Sequence, residues 1–61
     1  MKKYQIRTYT KSKESDNRKE TINTNSFEEI EKIYSQELEE GFPAPTVWEN
    51  KNNKLTRLLD Y

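Results

Sequence analysis

The sequence predicts an α+β domain of ββαββ order, in which a four-stranded, mostly antiparallel sheet carries one helix packed on one face. Three observations point there. Residues 26–41 form a capped amphipathic run, two alternating segments precede it, and a proline-bounded pair of extended segments follows it. A helix with a single apolar stripe must bury that stripe, and one face of a sheet supplies the cover. At 61 residues the chain is expected to be a single small domain, residues 1–61.

The first strand is predicted in KKYQIRTYT, where Tyr4, Ile6, Thr8 and Thr10 share one face and Lys3, Gln5, Arg7 and Tyr9 the other. KSKESDN lacks periodicity and is rich in turn formers, so it reads as a loop. RKETINT resumes a weak alternation around Ile22 and is expected at a sheet edge, paired with the first strand as a hairpin. NSFEEIEKIYSQELEEG is the clearest helix, expected over about residues 27–40. Ser26 is a natural N-cap, and Glu29 three residues on completes a capping box. Glu28 and Glu29 suit the positive end of the helix dipole. Phe27, Ile30, Ile33, Tyr34 and Leu38 form the stripe expected against the sheet. Gly41 supplies the left-handed position that ends a helix.

FPAP cannot continue a helix, because each proline pushes the residue before it into an extended conformation. TVWEN and KLTRLLDY then flank KNN, an asparagine-rich turn that tolerates left-handed backbone. In the last strand Leu55, Arg57, Leu59 and Tyr61 oppose Thr56, Leu58 and Asp60. Apolar groups on both faces predict a central position. Element order and length resemble the small immunoglobulin-binding domains of bacterial surface proteins. That resemblance is one of topology alone, and it implies terminal strands paired in the centre of the sheet.

With no Cys and no His, disulfides, zinc fingers, haem ligation and iron–sulfur clusters are excluded. No Asp-x-Asp-x-Asp-Gly calcium loop is present, so no metal or cofactor is expected. YQIRTYT, after Met1-Lys2-Lys3, has no apolar run of the kind a signal peptide or membrane span needs, and a cytoplasmic chain without membrane association is expected. Nucleophilic catalysis needs a base beside the nucleophile. The serines fall in a loop (Ser12, Ser15), at the cap (Ser26) and on the solvent side of the helix (Ser35). The single glycine, Gly41, leaves no phosphate loop. No catalytic residues are expected, and the chain is expected not to be an enzyme.

The zero net charge hides a segregated distribution. Lys2, Lys3, Arg7, Lys11, Lys13, Arg18 and Lys19 outnumber Glu14, Asp16 and Glu20 in the first third. Between residues 21 and 45 only Lys32 opposes Glu28, Glu29, Glu31, Glu37, Glu39 and Glu40. The expected function is a small regulatory protein that binds another macromolecule, most readily a protein. The candidate surface is the outer helix face with the last hairpin: Glu28, Glu31, Glu39, Glu40 and Trp48. Carboxylates there would dock on a basic site, or would simply keep a small domain soluble. Trp48 is either core or, if Val47 faces the helix, an exposed anchor. Short chains rich in Lys, Glu and Asn are common among accessory factors of phages and mobile elements, so modulation of a host protein is the expected role. The alternative is a nucleic-acid-binding module that uses the basic N-terminal hairpin, with Lys3, Arg7, Tyr9, Lys11, Lys13, Arg18 and Lys19.

Overall fold

Alternation in the first segment becomes β1 (Tyr4–Tyr9), which pairs with β2 (Arg18–Thr24) in an antiparallel hairpin. The computed structural model describes residues 2–11 and 15–58. Residues Ser15–Asn17 form a short 3-10 turn inside the expected loop. The loop closes where the Thr10 backbone N–H and hydroxyl both donate to the Asn17 carbonyl, at 2.8 and 3.1 Å. Ile6 faces Ile22 across the hairpin, and the register shifts between Thr8 and Tyr9, leaving Lys19 as the extra residue.

The helix α1 spans Phe27–Glu39. The Ser26 Oγ accepts the Glu29 backbone N–H at 3.3 Å, as expected. The other half of the capping box is replaced, since the Ser26 N–H donates to Thr24 Oγ1 at 3.0 Å instead of to Glu29. Thr24 is buried at the end of β2 and reaches this N–H from two residues away, so the strand end and the helix start share one hydroxyl. At the other terminus Gly41 has φ +85°. The Phe42 N–H reaches the Glu37 carbonyl and the Gly41 N–H that of Leu38, which is the paired bonding of a Schellman end.

After Pro43 and Pro45 the chain enters β3 (Thr46–Lys51), which turns through Asn52 and Asn53 into β4 (Lys54–Arg57). Both asparagines are left-handed, with φ of 52° and 63°. The turn is thus two residues long, and Lys51 pairs with Lys54 as the last rung of the ladder. The strand order is β2-β1-β3-β4, with every neighbouring pair antiparallel. This is the expected ββαββ sheet with one helix, but not the central pairing of terminal strands that the resemblance implied. β1 and β3 occupy the centre, and β4 is an edge. Pairing β3 on β1 sets Val47 opposite Ile6. β4 offers less to bury, and it carries a lysine, a residue that protects an edge from further pairing.

Ile6, Val47 and Ile30, one each from β1, β3 and α1, are fully buried. Tyr4, Ile22, Phe27, Ile33, Tyr34 and Leu58 pack around them. Tyr4 and Phe27 meet edge to face with centroids 5.1 Å apart. Leu38, expected in the stripe, is 49% exposed. At about 100° per residue, Glu37 lies some 20° from Ile30 on the helix wheel and Leu38 some 80°. Glu37 therefore takes the inward position in the last turn and pairs with Lys19 Nζ at 2.7 Å, while Lys19 also sits 3.3 Å from the Phe42 ring centre. The expected strand residues Leu59, Asp60 and Tyr61 lie outside the described residues.

Candidate functional site

One fact of strand parity builds the site. Val47 faces the helix, so Trp48 must face the other way, onto the side of the sheet that no helix covers. Thr46 and Asn50 share that face with Trp48. Residues paired across a ladder point the same way, which adds Gln5 and Arg7 from β1, Thr21 and Asn23 from β2, and Leu55 and Arg57 from β4.

These side chains connect across all four strands. Gln5 Nε2 donates to Asn23 Oδ1 at 3.1 Å, and Gln5 Oε1 accepts from Arg7 Nε at 2.6 Å. The Arg7 guanidinium carbon lies 4.4 Å from the centre of the Trp48 ring, and that of Arg57 lies 5.9 Å from it. Both fall within the range of cation–π attraction, Arg57 at its outer limit. Trp48 Nε1 donates to Thr46 Oγ1 at 3.1 Å, and the Tyr9 hydroxyl bonds the same oxygen at 2.9 Å. Trp48 is half-buried, Thr46 and Tyr9 are buried, and Leu55 is exposed.

Two polar atoms on this face are left without a partner among the described residues. Arg57 Nε and Asn50 Oδ1 are both buried and make no hydrogen bond. Leaving such a group unmet costs about 1–3 kcal/mol. Charge is one-sided as well. Among the described strand residues no carboxylate points to this face, because Glu49 pairs with Tyr4 and Thr56, and Glu20 with Thr8, on the helix side.

The expected acidic surface is divided by this geometry. Glu28, Glu31 and Glu39 are exposed on α1 and Glu40 at its C-cap, whereas Trp48 lies beyond the sheet on the opposite side of the molecule. A shallow depression lined by Lys32, Ser35, Gln36, Glu39 and Glu40 runs along the solvent side of the helix. The expected basic set is also dispersed. Arg7 joins Trp48, Tyr9 is buried, and Lys19 is tied to Glu37. Lys3 sits 5.3 Å from the Tyr4 ring centre, Lys11 and Arg18 are exposed, and Lys13 lies outside the described residues. Arg57 and Asn50 were absent from both expected sets. The signal for Arg57 was available, since a two-residue turn at Asn52-Asn53 places residue 57 opposite Trp48. The contact between Arg7 and Trp48 depended on which strand lies beside β1.

Among the described residues no helix is long and apolar enough to cross a membrane. No protein-family profile matches the chain, and no curated protein or solved structure shows significant similarity to it.

Proposed function

We propose that this chain is a non-enzymatic binding protein that engages a macromolecular partner through its uncovered sheet face, centred on Trp48. The observation that supports this most is the grouping of Arg7, Trp48 and Arg57 on a face with no opposing carboxylate among the described strand residues. Trp and Arg are the side chains most often found at the energetic centres of interfaces. Here both are held on strands, which reduces the ordering cost of binding. An accessory factor acting on a host macromolecule, the role expected from composition, would use this face.

Affinity capture from cells with the tagged chain, read by quantitative mass spectrometry of bound protein and sequencing of bound nucleic acid, tests the surface. Arg7→Glu with Arg57→Glu should remove the partner captured by the parent chain. Glu31→Lys with Glu39→Lys should leave it bound, because those carboxylates lie on the far side. The reverse pattern would return the function to the acidic helix.

A further inference from the structure

We infer that the occupant of this face is single-stranded nucleic acid, with a base stacked on the layer formed by Trp48 and Arg7 and with phosphates held by the edges of Arg7 and Arg57. This deepens the proposal that the sheet face is the working surface and rests on it. A guanidinium stacked over an indole uses its flat face for the ring and keeps its in-plane N–H donors for an oxyanion. Arg7 gives its Nε to Gln5, which fixes the plane of the group, and its two terminal amino groups meet no acceptor among the described residues. Arg57 stands on the neighbouring edge strand with its guanidinium carbon 5.9 Å from the same ring centre. The two arginines stand on the strands either side of β3 and lean toward one indole, their guanidinium carbons 4.4 and 5.9 Å from its centre.

The choice of nucleic acid over an acidic protein segment follows from what else the face displays. A carboxylate would satisfy the arginines but offers no π-face to the layer formed by Trp48 and Arg7. A nucleobase has one, and the phosphates beside it supply the anions. Gln5, Asn23 and Thr21 extend the same surface with uncharged polar groups. In a duplex the bases are stacked on one another and cannot lie on Trp48, so the single strand is the form that fits. The helix carboxylates do not oppose this. Glu28, Glu31, Glu39 and Glu40 are exposed on the helix side, across the sheet from this face.

Trp48 is the chain's only tryptophan, so its fluorescence reports on this face alone. The test titrates the full chain with dye-labelled, mixed-sequence single strands of about 12 nucleotides, as DNA and as RNA. Reporter-strand anisotropy and Trp48 emission are read together. The expected result is saturable binding with quenching at the same midpoint. Trp48→Phe should bind within a few-fold of the parent, and Trp48→Ala about 5–150-fold more weakly, the range for one stacked base. Arg7→Glu with Arg57→Glu, checked for folding by circular dichroism, should abolish binding. The logarithm of the association constant should fall against log salt with a slope of about −1.4 for two phosphate contacts.

Equal binding of the matching duplex, or binding that leaves Trp48 emission and the arginine variants unaffected, would overturn the inference. A poly-glutamate peptide that binds with the same arginine dependence while the oligonucleotides do not would also overturn it, yet would keep the sheet face as the working surface. If neither probe binds at concentrations up to about 1 mM, weaker than ordinary non-specific nucleic-acid binding, the inference fails. In that case a partner lost from cell capture on reversing the two arginines would still support the sheet face.

Discussion

Arg7 and Trp48 are diagonal neighbours across the β1–β3 pairing, and their side chains stack at 4.4 Å because Trp48 leans along its own strand to donate its indole N–H to Thr46, the direct cross-strand partner of Arg7. One hydroxyl thereby positions the aromatic centre of the face. It also meets the hydroxyl of Tyr9, which would otherwise be buried without a partner.

Thr46→Val keeps the β-branched shape but strands the Tyr9 hydroxyl and frees the indole. It should lower stability by about 1–3 kcal/mol in urea unfolding. Trp48 emission should change in the folded protein at the same time. Tyr9→Phe should cost less, about 0.5–1.5 kcal/mol, because Thr46 keeps its bond to Trp48. Equal losses in the two variants would show that the hydroxyl does not organise the pair.

Burial along α1 makes Ile30 the anchor of the helix and leaves Leu38 at the rim. Ile30→Ala should cost about 2–5 kcal/mol, a large part of the stability of so small a domain. Leu38→Ala, exposed and flanked by glutamates, should fall within about 0.5 kcal/mol of the parent. Thermal melts of the two variants decide the matter. A large drop for Leu38→Ala would mean that the helix is rotated from its observed setting.

The shared hydroxyl at the helix start separates the roles of Ser26 and Glu29. Ser26→Ala should lose about 1 kcal/mol, since the Glu29 N–H loses its acceptor. Glu29→Ala should change little beyond a few tenths of a kcal/mol of dipole interaction, because Thr24 and not Glu29 receives the Ser26 N–H. Equal losses in chemical denaturation would show that the capping box is closed after all.

Asn53 sits at φ 63° in the two-residue hairpin turn, where glycine is preferred. Asn53→Gly should raise the melting temperature slightly. Asn53→Val should destabilise by about 1–3 kcal/mol, since a β-branched residue strains in that region. Stability unchanged by valine would indicate that the hairpin opens at no cost to the rest of the sheet.

Thr8 is only 2% exposed on the helix side of β1, and its hydroxyl has no partner among the described residues. Thr8→Val replaces an unmet polar group with a methyl of the same shape and should stabilise the protein by about 1 kcal/mol. A loss of stability in urea unfolding would reveal a hydrogen bond to that hydroxyl.

The sequence by itself determined the elements, because each rests on local chemistry. Ser26 and Gly41 bound the helix through caps that need only their neighbours, the prolines of FPAP stop it, and the paired asparagines force a left-handed turn. Tertiary structure decided the order of the strands, and with it the site. Pairing β3 against β1 matches Val47 to Ile6 beneath Ile30 and turns Trp48 toward Arg7. Those residues are forty-one apart in the chain, and no periodicity within either strand encodes the pairing. The same decision separated Trp48 from the helix glutamates, because a sheet one layer thick has two sides and alternate residues must take opposite ones. The exposure of Leu38 was settled in a similar way. Its spacing fits an apolar stripe, but the last helical turn faces Lys19 at a bulge in β2, and there the ion pair with Glu37 takes the inward position.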